Sequence, residues 1–151
     1  MRKVITATLA LATGCVLAGT AVAQSDEEKI NYRQAVLVVI GGNFGPMGDM
    51  AQGEIDYDAE VFARNAERVA DLSRMALEGF EGGPHSGDTD AKAAIWDEWD
   101  QFEQGMTNFE EAAQGLAEAT EGGDQDLGAV QQDFMQVAES CQNCHDNYRD
   151  N

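Results

Sequence analysis

Residues 127–149 read LGAVQQDFMQVAESCQNCHDNYR, and two patterns are superimposed in them. The first is a helical seam. Leu127, Val130, Phe134, Val137, Cys141, Cys144 and Tyr148 recur at alternating steps of three and four, which aligns them along one face of an α-helix. The second is Cys141-Gln142-Asn143-Cys144-His145, of the form C-x-x-C-H. On a helix these two thiols and the imidazole fall within an arc of roughly 100°. That is the arrangement for covalent attachment of a c-type haem: each thiol bonds one vinyl group of a porphyrin, and a neutral imidazole nitrogen binds the iron. A thioredoxin-like dithiol, half a zinc site and a structural disulfide are the competing readings. A dithiol belongs beside a βαβ pattern and zinc needs a second ligand pair; the chain shows neither. The attachment motif therefore sits on the core seam of the last helix, predicted from about Asp124 to Arg149.

Working back from this helix, three more emerge. Ile95, Trp99, Phe102, Met106, Phe109, Ala113 and Leu116 form a heptad seam on a helix that starts at Thr89 or Asp90 and stops at Gly122-Gly123. Asp58 caps another, whose buried stripe is Phe62, Val69, Leu72, Ala76 and Phe80. The Gly- and Pro-rich stretch 82–87 that follows reads as a loop with His85 exposed. The first helix is capped by Ser25 or Asp26 and carries Ile30, Leu37, Ile40 and Phe44 on its apolar face, widened by Val36 and Val39. Gly41-Gly42 weaken it and Gly45-Pro46 end it, leaving 46–57 as a connecting loop. With no strand alternation and no internal repeat, the prediction is an all-α, antiparallel four-helix bundle holding a covalently bound haem.

Residues 1–23 read as a cleaved export signal: Arg2 and Lys3, then an apolar run from Val4, closed by Ala21-Val22-Ala23. Residues 24–151 then form one domain. Cleavage removes Cys15 and takes Arg2 and Lys3 from the 9 basic residues, leaving 7 against 28 acidic, a net charge of −21. The two remaining cysteines are those of the motif, so no disulfide framework competes for them. A periplasmic location suits the chemistry, since bacterial c-type haem is attached outside the cytoplasm, and no membrane anchor is expected after cleavage. The charge argues against nucleic acid, for which no basic patch exists, and favours a basic redox partner. It also suggests a protein whose self-repulsion is relieved by salt.

These residues resemble the cytochrome c′ family of exported bacterial haem proteins. The ending Cys141-Gln142-Asn143-Cys144-His145-Asp146-Asn147-Tyr148-Arg149 is similar to the family's C-x-x-C-H-x-x-[FY]-R, and Tyr32-Arg33-Gln34-Ala35-Val36-Leu37 to its R-Q element followed by a distal residue. Leu77 to Phe80 and Ala94-Ile95-Trp96 also fall where the family has similar segments. The likeness covers nearly all of 24–151. It implies one haem c per chain, with Cys141 and Cys144 as thioether attachments and His145 as the axial iron ligand. It sets Leu37 over the opposite face of the iron, where periodicity alone would make it a core leucine. Arg33 and Gln34 would meet the haem propionates, where periodicity alone leaves an ordinary surface ion pair for Arg33 equally open. Leu77 and Phe80 would wall the distal pocket, and Arg149, one turn beyond His145, would border the proximal side. A five-coordinate, largely high-spin iron open to small uncharged gases (NO, CO) is implied, together with single-electron transfer and a homodimer.

Two alternatives stand beside this. A low-spin, six-coordinate electron-transfer cytochrome of the c-556 type needs a first-helix methionine on the iron, whereas Leu37 occupies that position and Met47 and Met50 lie well beyond it. A haem enzyme detoxifying nitric oxide or peroxide needs a distal acid–base group, and His85 is the only histidine besides His145. The expectation is a carrier and gas-binding protein, not an enzyme.

Overall fold

The structure, a computed structural model, describes residues 24–150; the proposed export signal lies outside the described residues. Helix α1 spans Asp26–Gln52, α2 Ala59–Ser73, α3 the short Ala94–Asp97, α4 Trp99–Ala119 and α5 Leu127–Tyr148, with a 3₁₀ turn at Glu78–Phe80. The four long helices alternate in direction and pack in sequence, α1 on α2, α2 on α4 and α4 on α5. Between α1 and α5 the backbones approach only slightly. The bundle thus has three closed sides and one that opens.

Local chemistry sets most boundaries. Ser25 caps α1 in a capping box, its Oγ accepting from Glu28 N at 3.3 Å while Glu28 Oε2 accepts from Ser25 N at 2.8 Å. These bonds hold the Glu28 carboxyl below its ordinary pKa. Asp58 and Asp126 cap α2 and α5 through side-chain bonds to Val61 N and Ala129 N.

Three expectations of the sequence are corrected. Helix α1 does not end at Gly45-Pro46 but continues through Pro46 to Gln52. Proline inside a helix costs about 3 kcal/mol, yet the extra turns bury Met47 and Met50 completely or nearly so. Burying two methionines contributes about 3–6 kcal/mol, enough to carry the helix past the proline. It stops at Gly53, whose φ of 74° lets its N–H reach the carbonyls of Asp49 and Met50. Helix α2 ends at Ser73 rather than running to Phe80. The chain turns there so that Gly79 can lie against α1, so closely that a Cβ on it would sit 2.5 Å from Arg33 Cβ. The helix predicted from Thr89 or Asp90 begins at Ala94 and is broken at Glu98 (φ −119°, ψ 36°). Its seam holds, with Ile95, Phe102, Met106, Phe109, Ala113 and Leu116 all buried.

Candidate haem site

The open side of the bundle is closed at one end by aromatic rings. Phe44 of α1 stacks on Phe134 of α5, with centroids 4.8 Å apart and planes 10° apart, and Phe134 also meets Phe62 of α2. Leu37 precedes Phe44 by two turns and shares its face of α1 to within about 20°. Cys141 follows Phe134 by two turns on α5, and His145 by three. Because α1 and α5 run antiparallel, Leu37 and Cys141 stand at one level, about 10.5 Å along the helices from the stacked rings. His145 lies within about 20° of Phe134 around α5, so it shares the flank that faces α1.

Burial along the α5 seam tracks this opening. Val130, Phe134 and Val137 are buried, Cys141, Cys144 and Tyr148 only half-buried, and His145 is exposed. On α1, Val36 and Ile40 are buried while Leu37 is 39% exposed. A plain core leucine would be covered; the core reading of Leu37 is therefore wrong, and by helical position the side chain lies on the Phe44 side of α1. Cys144 also borders a groove of about 220 Å³ between α4 and α5, lined by Phe102, Met106 and Tyr148. That groove lies on the other flank of α5, and neither His145 nor Leu37 reaches it.

The donor chemistry fits a haem and not the competing readings. Cys141 and Cys144 are free thiols. Burial, and secondarily Cys144, pushes Cys141 up to about 11, and burial raises Cys144 as well. Such thiols stay protonated at neutral pH, unlike the thiolate of a redox dithiol. Among the described residues no cluster of three or more His, Cys, Asp or Glu side chains is placed to hold a metal ion, so no second ligand pair completes a zinc site. His145 is held below its ordinary pKa by desolvation first and then by the Arg149 cation, against the pull of Asp146. At neutral pH it is therefore in the neutral imidazole form, the form able to bind iron.

The far end of the gap is built by residues 78–93, which strap α1 to the end of α5. Toward α1, Tyr32 Oη donates to Glu78 Oε2 at 2.6 Å, Lys29 Nζ to the Glu81 carbonyl at 2.6 Å and Gln34 Nε2 to the Asp88 carbonyl at 3.0 Å. Toward α5, Lys92 N donates to the Tyr148 carbonyl at 3.0 Å and Asp150 N to the Asp90 carbonyl at 2.8 Å, around an antiparallel bridge between Ala91 and Arg149. The Lys92 ammonium approaches the Asp146 and Asn147 carbonyls at the C-terminal end of α5.

Arg33 is the centre of this strap and only 2% exposed. Its guanidinium donates to the Gly79 carbonyl at 3.2 Å, to His85 Nδ1 at 3.0 Å and to Thr89 Oγ1 at 2.9 Å. It also lies over the rings of Phe80, at 4.9 Å, and Trp96, at 5.8 Å. A surface ion pair for Arg33 is thereby excluded, since no carboxylate pairs with it; among the described residues the one ion pair is Arg74–Glu110 at 3.9 Å. His85 is likewise corrected: it is buried, at 6% exposure, not exposed in a loop. Phe80 is part of the core, edge-on to Phe102 at 4.9 Å, while Leu77 is half-buried beside it. His85, Thr89 and Trp96 were not recognised from the sequence as partners of Arg33. A buried arginine needs acceptors, but nothing in its own periodicity reveals which loop supplies them.

An antiparallel four-helix bundle with C-x-x-C-H on the open flank of its last helix defines a class, the helical c-type haem proteins. A family profile described as Cytochrome C' matches residues 28–149. The chain belongs to the cytochrome c′ family, whose members carry covalently bound haem c. A cytochrome c′ of Halomonas halodenitrificans is 40% identical over 128 residues, covering 82% of this chain and 96% of the relative. Among solved structures, a cytochrome c prime from Shewanella frigidimarina superposes with a TM-score of 0.80 at 39% identity, covering 85% of this chain and 99% of that one. A ferrous variant of the Alcaligenes xylosoxidans protein with bound NO superposes at 0.74 and 31% identity, over 83% and 98%.

Proposed function

We propose that this chain is an exported, periplasmic monohaem protein with a five-coordinate, largely high-spin iron, binding NO and CO and carrying single electrons rather than catalysing a reaction. Cys141 and Cys144 carry the thioether bonds and His145 binds the iron. The observation that carries the open sixth position is Leu37. It is exposed on the inner flank of α1 at the level of Cys141, and a leucine has no donor atom. Its bulk admits a small neutral gas and disfavours water or an anion. Leu77 walls the same side, with Phe80 behind it. Arg33 and Gln34 hold the carboxylate edge of the porphyrin, and Arg149 borders the proximal side. Against the six-coordinate alternative, Met47 and Met50 are buried in the core beyond Phe44. A peroxidase-like role lacks its distal base, since His85 Nδ1 is engaged by Arg33. The presence of NO in a related structure agrees with gas binding.

Residues 1–23 act as the export signal, and among the described residues no helix is long and apolar enough to cross a membrane. The outer face of α1 carries Ala35, Val38 and Val39 with Gly42 and Gly45; Val38 is 72% exposed. This face joins two copies in a homodimer. The acidic surface selects a basic redox partner. The deciding measurement is the absorption spectrum of the ferrous protein before and after CO and NO. Broad high-spin bands that sharpen and shift with CO are expected. Sharp α and β bands indifferent to CO would sink the proposal.

A further inference from the structure

Arginine has only donors, so the Arg33–His85 contact fixes the state of the histidine. His85 Nδ1 must be the acceptor, the proton resides on Nε2, and the ring is neutral. Nε2 is itself buried with no hydrogen-bond partner, and the ring stands edge-on to Trp96 at 5.6 Å. The Glu81 backbone gives the ring only a weak opposing pull, so the hydrogen bond His85 makes at full geometry is the one through Nδ1 with Arg33. Its service is to Arg33, a cation with no carboxylate beside it, whose orientation rests on three acceptors from the strap.

We propose that His85 is a positioning residue for the haem edge. Neutral, it fixes the Arg33 guanidinium between α1 and the 78–93 strap; protonated, it offers no acceptor and sets a second cation beside the first. This rests on the reading that Arg33 holds the carboxylate edge of the porphyrin. The charged groups around the ring favour the neutral state. Burial, then Arg33 and Lys29 of α1, lower its proton affinity; Asp26 of α1, which accepts from Ser86 N at 3.0 Å, and the Glu81 backbone oppose them. From α3, Trp96 contributes no charge.

A histidine whose folded pKa is depressed stabilises the fold fully above its unfolded value of about 6.5, and that stability is lost as pH falls below it. With one proton taken up on unfolding, the loss is about 3–5 °C of Tm per pH unit until the folded pKa is passed. His85→Gln keeps an acceptor for Arg33 and removes the titration; His85→Leu removes both.

The test uses the holoprotein, after its ferrous CO spectrum has shown whether the five-coordinate reading stands. Tm and reduction potential are measured from pH 8 to 5 in the wild type, His85→Gln and His85→Leu. The proposal expects both wild-type curves to bend below about pH 6.5 and both His85→Gln curves to remain flatter there. It expects His85→Leu to have a displaced potential across the whole range. Superimposable wild-type and His85→Gln curves overturn it. So does a difference confined to Tm, which would leave His85 a structural residue with no hold on the haem edge. An anomalous CO spectrum with the expected pH behaviour would instead fault the five-coordinate reading alone.

Discussion

Phe134→Ala removes the contact that draws α1 and α5 together. Phe134 is buried, stacked on Phe44 at 4.8 Å and tilted against Phe62 at 5.8 Å. Truncating a buried phenylalanine costs about 3–5 kcal/mol, of which each ring pair supplies about 0.5–1.5 kcal/mol. For a domain of this length the fall in Tm is about 10–20 °C. Phe44 is half-buried, so Phe44→Ala loses the same stack but less burial and should cost less. The double variant separates the two contributions: if the stack is real, the coupling energy is about 0.5–1.5 kcal/mol. Urea and thermal unfolding of the holoprotein, followed by far-ultraviolet circular dichroism, give all three numbers. The same variants have a second readout. Leu37 and Cys141 stand two turns beyond the stack on their respective helices, so loosening it should let the helices part and speed CO binding to the ferrous iron. Coupling within about 0.3 kcal/mol of zero, or unchanged CO kinetics in a protein destabilised as expected, would refute the view that this ring pair sets the width of the gap.

Leu37→Ala should cost under about 1 kcal/mol, against about 2–5 kcal/mol for a core leucine, yet raise the CO association rate; a core-sized loss with unchanged kinetics in stopped-flow mixing would count against its place at the gap. Gly79→Ala must push the 3₁₀ turn off the α1 backbone and should destabilise by about 1–3 kcal/mol, measured by urea unfolding; a neutral result would mean the close approach to Arg33 is not held in solution. The Tm of the wild-type protein should rise steadily with added sodium chloride, because the chain has a net charge of −19 and its described residues hold one ion pair to lose to screening. A flat or falling salt response in a thermal melt would contradict that.

What was legible in the sequence was what one helix can report about itself. Seams at steps of three and four gave the four long helices, and the motif at Cys141 to His145 could be placed on a helix face because its arc depends only on helical geometry. The capping residues Ser25 and Asp58 were readable for the same reason, since a cap acts on residues two or three away; Asp126, which caps α5, lies two residues past the start predicted at Asp124. Pro46 misled because its local penalty is outweighed by the burial of Met47 and Met50, a tertiary gain that no window around the proline contains. His85 misled for a related reason. Its glycine- and proline-rich surroundings describe a loop correctly, but a loop drawn across a buried arginine becomes interior, and that depends on α1 some 50 residues away.

Leu37 and Arg33 show why the site needed both levels of description. The two lie one turn apart on α1, and periodicity makes Leu37 a core leucine while leaving Arg33 an ordinary surface ion pair. In the bundle, Leu37 is less covered than its apolar neighbours Val36 and Ile40, while Arg33 is more covered than a cation without a counter-ion should be. Each departs from its expected burial in the opposite sense: the strap covers Arg33, while Leu37 is left open. A flat apolar ring with a charged edge, inserted between α1 and α5, would cover the leucine and present carboxylates to the arginine. An apolar ligand without acidic groups would explain Leu37 but leave Arg33 a buried cation with neutral acceptors, ring faces and the field of Asp26, and no carboxylate in contact. The pair therefore points to a ligand of the kind that Cys141, Cys144 and His145 are arranged to hold, by an argument that does not use the motif.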